Sequence, residues 1–109
     1  MRVATVDEVF TEMETRLAAD SSKVAGMNAT YQFDLTGDGG GEKWVKLADG
    51  TGEFGSGQAE SPNITITMAA SDFLDLVDGK LDGTMAFMSG KLKVKGDMGL
   101  AMKLQNVLR

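Results

Sequence analysis

The sequence predicts an α+β fold, one largely antiparallel sheet of five strands with helices over one face, and three observations carry that prediction. Apolar residues recur at helical spacing from Val6 to Leu17 and again after Ser71, five other stretches alternate apolar with polar side chains, and glycine-containing turns stand between them. A chain of 109 residues builds one core, so residues 1–109 read as one domain of two packed layers.

Thr5-Val6-Asp7-Glu8 matches a capping box, in which a threonine hydroxyl and a glutamate three residues on satisfy free amides at a helix start. Val6, Val9, Phe10, Met13 and Leu17 then give an amphipathic helix to about residue 19, and Asp20-Ser21-Ser22 caps a short helical turn through Val24. From Met27 the period changes to two. Ala29, Tyr31, Phe33 and Leu35 alternate with Thr30, Gln32, Asp34 and Thr36, as in a half-buried strand. The glycines between Gly37 and Gly41 turn the chain into a second strand, Lys43–Leu47, and Asp49-Gly50 turns it again into a short strand around Glu53-Phe54. After a loop containing Pro62, Ile64, Ile66 and Met68 mark a fourth strand.

Ser71-Asp72 can cap a helix carrying Phe73, Leu74, Leu76 and Val77, which Gly79 ends. Thr84–Met88 is a shorter helical piece stopped at Gly90, and Lys91–Lys95 alternates as a fifth strand with Leu92 and Val94 inward. Asp97 caps a last helix reaching Leu108, whose near-continuous apolar surface must be covered on most sides.

Composition excludes several kinds of chemistry. The sequence has no cysteine and no histidine, so disulfides, thiolate nucleophiles, imidazole bases and the usual zinc ligands are out, and no cofactor or metal is expected. A net charge of −5 argues against nucleic acid as a partner. That charge is uneven: residues 1–79 hold five basic and fourteen acidic groups, residues 80–109 six and two. Lys91, Lys93 and Lys95 read either as the solvated face of a strand or as a transient contact with an anionic membrane. No run approaches the ~18 apolar residues of a membrane span. Met1–Thr5 shows no secretory leader, and the expected location is cytoplasmic.

Four motif matches fail on context. Gly50-Thr51-Gly52-Glu53-Phe54-Gly55 has the spacing of a dinucleotide loop but no following helix. The stretch from Asp34 to Val45 lacks the glutamate that closes a calcium loop. Asn28-Ala29-Thr30 and Asn63-Ile64-Thr65 match a glycosylation pattern without a secretory context. Asp72, Asp75 and Asp78 fall on the polar side of their helix, where a carboxylate makes a poor general acid. Eight methionines remain, with Met85, Met88, Met98 and Met102 close together. Methionine either fills a core or lines a surface that adapts to ligands, and composition leaves both open.

Two stretches bear on that choice. Ile64-Thr65-Ile66-Thr67-Met68-Ala69-Ala70-Ser71-Asp72-Phe73-Leu74, and the run from Ala86-Phe87-Met88-Ser89-Gly90-Lys91-Leu92-Lys93-Val94-Lys95 to Gly96-Asp97-Met98-Gly99-Leu100-Ala101-Met102-Lys103-Leu104-Gln105-Asn106, closely resemble the sterol carrier protein (non-specific lipid-transfer) family. The resemblance is close over about the last 45 residues and looser before them. It implies an apolar tunnel between sheet and helices that takes fatty acids, fatty acyl-CoA and sterols. Matching within the motif places Thr84, Met88, Gly99 and Met102 in the ligand site; helical facing adds Met85 and Met98, and inward alternation adds Phe33, Trp44, Phe73 and Val77. Ser89 and Asp97 depart from the usual family residues. Read as a stand-alone prokaryotic version, the chain is expected to carry a fatty acid, acyl-CoA or phospholipid, with sterol less favoured; no catalysis is expected from the residues present, and the apolar surface of the last helix suits it as a lid. The alternative is an interaction or homodimerisation domain that keeps no open cavity.

Overall fold

The computed structural model describes residues 5–19, 22, 26–48 and 50–103. Within them the order is α1 (Val6–Ala19), β1 (Ala29–Thr36), β2 (Gly41–Ala48), β3 (Thr51–Ser56), β4 (Ile64–Ala69), α2 (Ala70–Asp78), α3 (Gly83–Met88), β5 (Leu92–Gly96) and α4 (Met98–Met102). The α+β expectation holds. The helical turn expected at Asp20–Val24 and the end of the last helix, from Leu104 on, fall largely or wholly outside the described residues.

The five strands form one sheet in the order β3-β2-β1-β4-β5. Three pairings are antiparallel; β1 and β4 run parallel, with Tyr31 opposite Ile64 and Phe33 opposite Ile66. That parallel pair follows from the connection. β3 ends beside the start of β2, and residues 57–63 carry the chain back to the far side of β1 before β4 begins.

This connection accounts for the one departure from simple alternation in β1. Gln32, expected on the solvent face, is fully buried. Its carboxamide oxygen accepts from Ala59 N at 2.7 Å, and its Nε2 donates to Gly57 O at 3.0 Å and to Asp34 Oδ1 at 3.2 Å. Gln58 bridges Asp34 and Glu42, two carboxylates that face each other across β1 and β2. Asn63 completes the clamp: its side chain accepts from Thr30 N at 2.8 Å while its own amide donates to Thr30 O. The side-chain amides thus satisfy backbone groups that the crossing loop would otherwise leave unpaired.

The helices cover the opposite face. Thr5 caps α1 through a bond from Glu8 N, and its hydroxyl also meets the Glu8 carboxylate, so the capping residues act together although not in the reciprocal pattern expected. Asp7 pairs with Lys43 of β2 at 2.5 Å. Phe10 of α1 stacks on Phe73 of α2 with ring centroids 5.5 Å apart and meets Phe33 of β1 edge-on at 5.6 Å. Phe33 and Phe73 touch at 5.7 Å, and Tyr31 stacks on Phe33 at 6.3 Å. This cluster fills the space between α1, α2 and the middle of the sheet.

Replacing Gln32 by Leu keeps its bulk but orphans Ala59 N–H and Gly57 C=O. It is expected to lower the free energy of unfolding by about 2 kcal/mol, read from urea denaturation; an unchanged midpoint would contradict the clamp.

Candidate ligand cavity

The chain from α2 to α4 builds a second, less filled compartment at the β5 end of the sheet. α2 ends at Gly79, whose amide bonds Leu76 O while Lys80 N bonds Asp75 O, and the chain turns back. Asp82 then starts α3, its Oδ1 accepting from Met85 N at 3.0 Å. After α3, Lys91 N bonds Ala86 O and β5 pairs antiparallel to β4. Gly96 closes the strand with φ 116°, and a Cβ there would sit 2.4 Å from Asn63 O, so only glycine lets β5 lie this close. Asp97 N donates to that same Asn63 oxygen at 3.1 Å, and the Asp97 carboxylate caps α4 by accepting from Gly99 N at 2.8 Å.

Buried Tyr31 holds α4 from below. Its hydroxyl donates to Leu100 O at 2.7 Å, joining β1 to α4 across 69 positions of sequence. Burial, and then the negative charge of Asp97, push the Tyr31 hydroxyl from 10.0 up to about 12. The phenol is therefore kept protonated, as a donor must be.

Between these elements lies a cavity of about 300 Å³, at the lower end of the ~300–1,000 Å³ of small-molecule sites. Leu76 of α2, Leu92 and Val94 of β5, and Met98, Ala101 and Met102 of α4 supply most of its apolar wall; Gly83, Thr84 and Phe87 of α3 and the cap residue Asp82 complete it. The space exists because short helices with small residues cover β5: Ala86 is the only buried residue of α3, and α4 has none.

Of the ten expected ligand residues, Thr84, Met98 and Met102 line this cavity. Met85 and Met88, 65% and 77% exposed, do not line it. Phe33 and Phe73 are buried in the aromatic cluster. Val77 is half-buried against the core; its neighbour Leu76 reaches the cavity instead. Gly99 serves the α4 cap and does not line the cavity. Trp44 sits opposite Gln32, so it is on the other face of the sheet from Phe33; inward alternation does not place both there. Its indole lies over Gly55, where a Cβ would come within 2.3 Å of the ring. A shallow polar hollow beside it is lined also by Thr30, Lys46, Glu53 and Glu60.

The residues missed were Leu76, Asp82, Gly83, Phe87, Leu92, Val94 and Ala101. Leu92 and Val94 were legible as inward positions of β5. Lys93 and Lys95 lie opposite Thr67 and Thr65, on the sheet face away from the cavity. No group of three potential metal ligands occurs among the described residues, and no helix there is long and apolar enough to cross a membrane.

Residues 10–109 match the family model described as SCP-2 sterol transfer family. Among curated proteins, hydroxysteroid dehydrogenase-like protein 2 of Xenopus tropicalis is 39% identical over 104 residues, 94% of this chain and 24% of that protein. This chain therefore spans about a quarter of the length of such relatives. Among solved structures, the sterol carrier protein domain 2 of Helicoverpa armigera is 30% identical with a TM-score of 0.75, covering 100% of this chain and 93% of that one. The palmitated SCP2L2 of Aedes aegypti is 25% identical with a TM-score of 0.77, covering 97% and 96%.

Tyr31→Phe removes the bond to α4 and is expected to lower stability at neutral pH by about 1 kcal/mol. Its folded value lies above the ordinary one, so the stabilisation from keeping Tyr31 protonated is complete below pH 10 and lost as pH rises toward 12. Wild type should therefore lose about 2 kcal/mol more than Tyr31→Phe across that window, measured by denaturation at each pH. Equal losses would contradict the assignment.

Proposed function

The chain belongs to the SCP-2 sterol transfer family, a family of lipid binding and transfer, and we propose that it holds the apolar part of a lipid in the cavity between α3, β5 and α4. The observation that carries this reading is an apolar-walled space of about 300 Å³ in a small domain whose remaining interior is filled by the aromatic cluster. Each methylene buried there contributes about 0.8 kcal/mol, so a ten-carbon length is worth on the order of 8 kcal/mol before the losses of ordering and association. Fatty acid, fatty acyl-CoA, phospholipid and sterol all offer such a body. The proposed role is to hold and deliver the molecule; no residue lining the cavity is assigned a catalytic step.

Exchange requires access past Met98 and Met102, 48% and 88% exposed at the rim. Flexible thioether side chains suit a rim that must deform around differently shaped chains. Transient contact of Lys91, Lys93 and Lys95 with an anionic membrane belongs to the same proposal and would act through the sheet face behind β5, leaving the rim free. A second reading, a contact face for another copy of this chain, is favoured by one observation, the exposure of Met85, Phe87 and Met88 on α3.

Ala101→Trp should fill the cavity from α4 and weaken binding of an uncharged fluorescent lipid at least tenfold, with the melting temperature as a check on folding; undiminished binding would contradict the site. Native mass spectrometry of protein taken directly from cells separates the two readings. A co-purifying lipid on a monomer supports the carrier, and an empty dimer supports the contact face.

A further inference from the structure

The polar side chains of the cavity wall are few, and their chemistry is one-sided. Among the described residues that line it, Asp82 is the only charged one and Thr84 the only one with a hydroxyl. The Asp82 carboxylate spends one oxygen on Met85 N, and it pairs with no lysine or arginine of the described residues. That bond occupies Met85 N, and Ala86 N bonds Asp82 O, so two of the amides at the start of α3 are already paired. Lys80 and Lys103 stand outside the lining, and Lys93 and Lys95 are on the far face of the sheet. A lipid head that comes to this stretch of wall meets the negative charge of Asp82 beside the hydroxyl of Thr84.

Resting on the reading of this cavity as the lipid site, we propose that Asp82 is a specificity-determining residue that favours uncharged lipids carrying a hydroxyl head over lipids carrying a carboxylate. A hydroxyl can donate to the free oxygen of Asp82 and accept from Thr84. A carboxylate can also accept from Thr84, but it has no proton to give Asp82 and is repelled by it. Asp82 is exposed to solvent, so the repulsion is screened; one unit charge against another near 4 Å in water changes affinity by about fivefold. That is enough to set a preference between two lipids of equal chain length, although not to exclude either.

The test holds the chain constant and changes only the head. Displacement of Nile red, itself uncharged, is measured with 1-tetradecanol and with tetradecanoate at low ionic strength. The proteins are wild type, Asp82→Asn, Asp82→Ser and Asp78→Asn. Asparagine and serine both keep an N-cap acceptor, so at least one neutral variant retains α3. Asp78→Asn removes the same charge from an exposed position of α2 outside the cavity.

Wild type should bind tetradecanol more tightly, and both Asp82 variants should gain about fivefold for tetradecanoate while tetradecanol, which loses an acceptor, does not gain. Asp78→Asn should move neither. Tetradecanoate binding that ignores Asp82, an equal gain in Asp78→Asn, or a wild-type preference for tetradecanoate would each overturn the proposal. If neither lipid displaces the dye, or displacement survives Ala101→Trp, the cavity itself is wrongly identified and the selectivity falls with it.

Discussion

The packing of Phe10 against Phe33 and Phe73 is the constraint on which the rest of the molecule depends. Three rings from α1, β1 and α2 close within 6 Å of one another and fill the middle of the sandwich. Edge-to-face and offset contacts of this kind add to the burial of large apolar surfaces and fix how the helices sit on the sheet. With α1 and most of α2 packed there, α3 and α4 are the described helices that cover β5. These are short, and beside Phe87, Met98 and Met102 they contribute the small side chains Ala86, Gly83 and Ala101. Close packing therefore fails at that end, and the failure is the cavity.

What keeps so thinly covered an end in place is a polar frame. Asn63 is its centre: it receives Thr30 N on its side chain and Asp97 N on its backbone oxygen, while Gly96 passes close against it. Asp97 caps α4, and Tyr31 donates to Leu100 from the core side. These bonds are directional, so they position α4 without filling the space beneath it. The division of labour suits a carrier, since a helix held by a few hydrogen bonds opens at less free-energy expense than one set in a dense core. On the opposite face, the Gln32 clamp performs the analogous task for the crossing loop.

Most of the fold was legible because its signals are local. The switch from a period of 3.6 to one of two at Met27, the cap at Asp97 and the glycines between strands each act within a few residues. The parallel β1–β4 pair and the burial of Gln32 were not, because both follow from where residues 57–63 cross, and no local pattern records a crossing. The candidate site was legible only in part. Family matching found Thr84 and Met102, and helical facing found Met98, but facing also chose Met85, which a six-residue helix with one buried alanine turns outward. Inward alternation chose Trp44 beside Phe33, although the register sets them on opposite faces, and the space over Gly55 explains the tryptophan without a ligand. Leu76 and Val77 show the same limit at one residue's resolution. Asp82 carried no expectation from the sequence; the structure shows it capping α3 and standing in the cavity wall.

On the proposed reading the ligand lies at the β5 end and not beneath α1 in the middle of the sheet. The most direct measurement is methyl NMR of the protein with a lipid bearing a nitroxide on its chain. The account predicts strong paramagnetic broadening at Leu76, Leu92, Val94 and Ala101, with Val9, Val45 and Leu47 sharp. Broadening centred on Val9, Val45 and Leu47 would contradict it.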